Sequence, residues 1–216
     1  PSSSINFAAN PSVRWEKTGV LNFGLDFAVL NRRLSGSIEL YRKYSRDLFA
    51  DYTINPIFGA NASSSYTLSR NAAKVNGKGI DLALNGVIVQ KGDFRYDAKL
   101  TYSYNINEVI SSPYEMSPYF YSSGGGSGRM LEGYNMNNFW AYRWAGLDEN
   151  GDSQIYNADG DIVKSTESVT NDDLVYVGTL TPKYFGGFFN TFSYKGLSLY
   201  VGITYKLGYI FQKPTI

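Results

Sequence analysis

The chain has 216 residues, of which 43% are hydrophobic and 16% aromatic, and carries a formal charge of +1. That apolar content excludes a disordered polymer, and the balanced charge argues against a nucleic-acid partner. Cysteine and histidine are both absent, which removes disulfides, thiol nucleophiles, imidazole bases and the commonest metal ligands, so no catalytic residue, cofactor or metal site is expected and the protein is not read as an enzyme.

Along the chain, period-two patterns arrive in pairs. Leu21, Phe23, Leu25, Phe27 and Val29 alternate with Asn22, Gly24, Asp26 and Ala28; Asn31-Arg32-Arg33 then turns the chain into Leu34, Gly36, Ile38 and Leu40 against Ser35, Ser37, Glu39 and Tyr41. A second pair begins at Ile80, Leu82 and Leu84, runs to Gln90, turns at Lys91-Gly92-Asp93 and returns as Phe94, Tyr96, Ala98, Leu100, Tyr102, Tyr104 and Ile106 against Arg95, Asp97, Lys99, Thr101, Ser103, Asn105 and Asn107. The third pair runs from Tyr184 to Tyr194, turns at Lys195-Gly196 and leaves from Leu197 to Tyr209. Successive side chains on a strand point to opposite faces, so each pattern predicts one strand between an apolar and a polar environment. Strands of this length reach the roughly 9 to 11 residues that a tilted membrane crossing needs.

The connections sort by length. Three are short turns, whereas 45–75 and 108–181 are long and rich in Ser, Gly, Asn and Tyr. Alternate connections of an up-and-down sheet lie at opposite ends, and outer-membrane barrels combine short periplasmic turns with long extracellular loops. The expected fold is therefore all-β: an antiparallel up-and-down transmembrane β-barrel, with 45–75 and 108–181 as long extracellular loops. A soluble sandwich is the competing reading, although its loops need not sort by end. Six strands fall short of the roughly eight that close a bacterial barrel, so residues 1–216 are expected to be an incomplete segment of a single larger barrel domain. Such a sheet is expected to face outer-membrane lipid with its apolar side and a polar lumen with the other.

The longest loop concentrates aromatic residues. Tyr119, Phe120 and Tyr121, with Trp140, Tyr142 and Trp144, are the candidate ligand-facing residues, since flat apolar rings pack against sugar rings and peptide side chains. Asp148, Asn150, Asp152 and Asp159 have part of a calcium-loop spacing, but Ser153 stands where the sharp turn needs Gly. Asn150-Gly151 and Asp159-Gly160 are read as hairpin turns instead. Gly124-Gly125-Gly126-Ser127-Gly128 is read as a flexible tip, because no Lys-Ser/Thr follows to make a phosphate cradle.

Several stretches resemble the barrel region of the SusC/RagA-like TonB-dependent transporters of Bacteroidetes outer membranes. They are Asn10-Pro11-Ser12-Val13-Arg14-Trp15-Glu16-Lys17-Thr18, Asn22-Phe23-Gly24-Leu25-Asp26-Phe27, Asn76-Gly77-Lys78-Gly79-Ile80-Asp81, Tyr142-Arg143-Trp144-Ala145-Gly146-Leu147-Asp148 and Thr181-Pro182-Lys183-Tyr184-Phe185-Gly186-Gly187. The resemblance implies TonB-dependent active import of an oligomeric nutrient, a glycan or a peptide, across the bacterial outer membrane. It also implies a SusD-like surface lipoprotein over the mouth and a TonB complex acting through a plug that is not in this chain. A passive porin or adhesin barrel, or a soluble carbohydrate-binding β-protein, are the alternatives.

Overall fold

A computed structural model of the chain describes residues 10–53, 67–114, 130–164 and 169–211. The six expected strands are present: β1 (Lys17–Val29), β2 (Leu34–Thr53), β3 (Thr67–Lys91) and β4 (Phe94–Ser111), then β9 (Tyr184–Tyr194) and β10 (Leu197–Leu207). They form one sheet in the order β1-β2-β3-β4-β9-β10. Between β4 and β9 the chain adds β5 (Asn138–Leu147), β6 (Ser153–Tyr156), β7 (Ile162–Lys164) and β8 (Leu174–Thr179), a second sheet ordered β7-β6-β5-β8, with one 3-10 turn at Asn171–Asp173. Among the described residues no helix is long and apolar enough to cross a membrane, which says nothing of crossing by strands.

The chain divides into two compact units. The first comprises Pro1–Thr18, Ser45–Val75 and Glu108–Leu180; the second comprises Gly19–Tyr44, Asn76–Asn107 and Thr181–Ile216.

In the second unit the register separates the faces. Leu100 pairs with Phe188, which pairs with Ile203; one position on, Thr101 pairs with Gly187 and then Thr204. The apolar face also carries the stacked pairs Tyr96–Phe192 (4.5 Å between centroids) and Tyr104–Tyr184 (5.1 Å). Neighbouring rings at these separations add cross-strand attraction on top of the ladder. Its one buried polar side chain, Asn190, is satisfied by the Tyr96 hydroxyl, which donates to it at 2.7 Å.

Two tyrosines brace this sheet across glycines. On the polar face the Tyr41 ring lies over Gly79, and its hydroxyl accepts from Asn105 Nδ2 at 2.6 Å, so β2 is tied to β4 across β3. A Cβ at Gly79 would run into that ring and the Tyr104 carbonyl. On the apolar face Tyr205 passes Gly186 and donates to the Thr101 carbonyl at 3.4 Å, tying β10 to β4 across β9. Glycine is required at both positions, because the space a Cβ would need is taken by the Tyr41 ring at Gly79 and by the Thr101 carbonyl and the Tyr205 hydroxyl at Gly186.

The first unit has the buried apolar side chains: Ala50, Ala73, Val75, Val109, Leu131, Trp140, Ile155 and Leu174. Its part of β2 holds Asp47 at a φ of 59°. Left-handed backbone is unfavourable for residues with a Cβ, and here it is pinned from several sides. Arg14 Nη2 meets Asp47 Oδ1 at 3.1 Å, and Asn71 Nδ2 donates to the Asp47 carbonyl at 2.6 Å and to the Arg14 carbonyl at 2.7 Å.

Candidate functional site

The expected ligand-facing residues meet three fates. Tyr119, Phe120 and Tyr121 lie outside the described residues. Trp140, Tyr142 and Trp144 all lie on β5, where alternate positions place them in a series. Trp140 sits at 6% exposure in a cluster with Leu131 and Leu174. Tyr134 meets it edge-on at 4.9 Å, Tyr176 lies 5.5 Å away, and its indole N–H donates to Asn138 Oδ1 at 2.9 Å. An indole so enclosed, with its polar atom satisfied, is a core element.

Trp144 differs. It is 70% exposed, at a register shift where Trp144 pairs with Ile155 and Gly146 with Gln154, leaving Ala145 as the extra residue. Gly146 takes a φ of 104°, which suits a residue without a Cβ. A bulge re-aims the neighbouring side chain, and here it accompanies the large ring that β5 leaves open to solvent.

Tyr142 lies between these two. It packs against the Trp140 cluster, and its hydroxyl is buried with no hydrogen-bond partner among the described residues. Burial pushes its pKa up, and the charge of Asp173 pushes it further the same way. Asp173 is held ionised well below the usual carboxylate range, because the amides of Thr170 (2.7 Å) and Ala158 (2.8 Å) and the Thr170 hydroxyl (3.0 Å) all donate to it. Hydrogen bonds to the charged form lower a carboxyl pKa.

The two connections beside the exposed end of β5 are built alike. In Asp148–Asp152 and again in Asn157–Asp161, the first residue's amide donates to the fifth residue's carbonyl at 2.9 Å. The first side chain's Oδ1 then accepts from the fifth amide, at 2.8 Å for Asp152 and 2.7 Å for Asp161. Gly151 and Gly160 take φ values of 84° and 90°. Both expected hairpin turns are therefore formed. The Asp148 carboxylate also accepts from the Asn150 amide at 2.8 Å, while Lys164 Nζ bridges Asp148 Oδ2 (2.7 Å) and Asp152 Oδ2 (2.8 Å). The positive charge between these carboxylates is an ammonium from β7, whose own pKa is raised by them. Across the sheet, Arg143 lies 5.6 Å over the Tyr156 ring, an exposed cation–π pair.

Reading β5 by composition picks out its rings but not Tyr134, Tyr176, Lys164 or Asp173. Tyr134 comes from the segment just before β5 and the other three from stretches after it, and no local pattern announces the meeting.

No protein-family model matches the chain. Among curated proteins it is 27% identical over 207 residues, 88% of its length, to TonB-dependent receptor P26 of Formosa agariphila. It is 30% identical over 153 residues, 67% of its length, to TonB-dependent receptor SusC of Bacteroides thetaiotaomicron. The chain spans only 20% and 15% of those two relatives. Among solved structures, it superposes over 95% of its length on the RagAB peptide transporter with a TM-score of 0.72 at 29% identity. The 'open-open' state of the RagAB peptide importer matches with a TM-score of 0.75 at 28% identity, and the chain covers 22% of each. The two-faced hairpin sheet, its aromatic pairs and these similarities agree: the chain is a segment of the barrel of the SusC/RagA-like TonB-dependent transporters of the bacterial outer membrane.

Proposed function

We propose that the protein to which this segment belongs imports an oligomeric nutrient, a glycan or a peptide, by TonB-dependent active transport. The observation that carries this reading is the match along 95% of the chain, at 28% identity, to a peptide importer. The short turns after β1, β3 and β9 face the periplasm, and the first unit, with 45–75 and 108–181, is extracellular. In that position Trp144 contacts cargo or a SusD-like lipoprotein lid, with Trp140 and Tyr142 as its packed support. Tyr119, Phe120 and Tyr121 belong to the same contact region. TonB acts through a plug outside these residues.

Uptake of the cognate oligomer by cells carrying the full-length protein tests this directly. Uptake should vanish on deleting the gene, on deleting tonB and on collapsing the proton gradient, and the lipoprotein should co-purify. Uptake that survives the last two treatments identifies a passive porin. Orientation has its own check: a cysteine replacing Glu149 should react with an impermeant maleimide on whole cells, and one replacing Lys91 only once the outer membrane is opened.

A further inference from the structure

Charge interrupts the apolar face of the second unit at one place. Among the described strand positions on that face, only Arg42 and Lys78 are charged, and both are exposed cations. They stand directly opposite each other. Across β2 and β3 Lys43 faces Gly77 and Tyr41 faces Gly79, so the antiparallel register sets Arg42 against Lys78. Across β1 and β2 Gly24 faces Glu39, which sets Leu21 on the other side of Arg42. Arg42 Nε donates to Asn76 Oδ1 at 3.2 Å. Neither cation has an ion-pair partner among the described residues.

Like charges directly opposite on neighbouring strands repel, and a face that meets lipid tolerates charge poorly. A long cationic side chain near a membrane boundary can extend its charge to the headgroups. Such an extension accounts for one cation, but not for two set against each other with no carboxylate on the same face. An anion held between them removes the conflict, and guanidinium and ammonium groups suit phosphate oxygens. Beside Arg42 runs a groove of about 310 Å³ lined by Gly19, Val20, Leu21, Arg42 and Tyr44. A Cβ at Gly19 would meet nothing within 4 Å, so glycine leaves this groove open. The pair lies where β2 and β3 lead into 45–75, and Leu40 and Ile80, the next positions on the same face, begin the apolar band.

We infer that Arg42 and Lys78 hold the phosphate of a phosphorylated glycolipid of the outer leaflet, with one acyl chain lying in the groove beside Tyr44. The choice of leaflet rests on the importer reading, which sets 45–75 outside the cell. The occupant follows from charge complementarity and from the groove together: a basic site at the membrane boundary takes an anionic headgroup, and a free anion would leave the adjoining apolar groove unfilled.

Native mass spectrometry of the full-length transporter in nonionic detergent, with monophosphoryl lipid A added, tests this. The wild-type protein should retain the lipid, and retention should fall several-fold when Arg42→Gln and Lys78→Gln are combined. The exchange Arg42→Lys with Lys78→Arg preserves both charges and should keep it. Gly19→Leu, which fills the groove and leaves the cations, should weaken retention as well, whereas Lys99→Gln, which removes a cation from the polar face, should not. Heat-modifiable mobility shows that each variant is folded. Equal retention of the same lipid stripped of its phosphate, or unchanged retention in the double glutamine variant, overturns the site. Displacement by inorganic phosphate alone reduces it to an ion site, and tighter retention of phosphatidylglycerol overturns the glycolipid. Failure of import is read separately, from uptake that ignores the proton gradient, so the two ideas fall independently.

Discussion

The two units solve opposite problems. Every described apolar side chain that is buried belongs to the first unit, whereas the second buries only Asn190 and glycine positions while Leu21 and Leu197 stand 76% and 78% exposed. The first unit is stabilised by its own core and by polar turns. The second leaves apolar surface far beyond what a soluble protein tolerates, and draws its stability from lipid and from further strands. An apolar face therefore means different things in the two: in the small sheet it marks an interior, in the large one a solvent boundary.

The sharpest way to break this contrast is at Trp140. Replacing Trp140 by Ala should destabilise the small sheet by about 3–5 kcal/mol, as large-to-small changes of buried aromatics do. Replacing Trp144, four residues along the same strand, should change stability by no more than about 0.5 kcal/mol. Hydrogen exchange of β5 and β8 amides in the full-length protein reads both, and equal effects would remove the distinction between support and contact residue.

In the large sheet the same logic is tested with charge. Leu100→Arg should destabilise the barrel by about 2–4 kcal/mol when the position lies near the bilayer midplane, and Thr101→Arg far less. Denaturant unfolding in lipid measures the difference; parity would mean the faces are reversed or the sheet is not in a membrane.

A smaller effect is expected at the tyrosine braces. Gly79→Ala forces the Tyr41 ring off β3, a packing conflict of about 1–3 kcal/mol. Gly79→Ala combined with Tyr41→Ala should recover part of that loss, since the second change vacates the space. Absence of any recovery would locate the strain in the backbone instead.

The mildest prediction concerns pH and belongs only to the first unit. Asp173 has a folded pKa below its unfolded value, so the stability it contributes is fully present above the unfolded value, near 3.9, and is lost as pH falls through the lower folded one. The protection factors of the Thr170 and Ala158 amides, taken relative to the intrinsic exchange rate at each pH, should fall in that acid window and stay constant from there to neutrality. Asp173→Asn should abolish the pH dependence; an unchanged profile would assign it to another group.

Long alternation is what made the six large strands readable. From Phe94 to Ile106 every second residue is apolar or aromatic, and a strand that meets lipid on one face and water on the other must keep that pattern for its whole length. The four small strands leave no such trace. β7 has three residues and β6 four, too few for a period to emerge, and β5 carries two register shifts that break its alternation. The turns between them were legible, since Asn150-Gly151 and Asp159-Gly160 name their own backbone geometry, but the sheet they join was not.

By itself, then, the sequence determined the membrane architecture, because two solvents act on every residue of a crossing strand and write their difference into the local order of side chains. It also determined the positions of the tight turns, where glycine and asparagine relieve a left-handed backbone. Only the tertiary structure decided which rings of β5 are structural and which are open, because burial depends on Leu131, Tyr134, Leu174 and Tyr176 arriving from elsewhere in the chain. The same holds for the bridging of Asp148 and Asp152 by Lys164 and for the setting of Arg42 against Lys78. Charges and rings act through space, and their partners are set by strand register, which no single stretch of sequence contains.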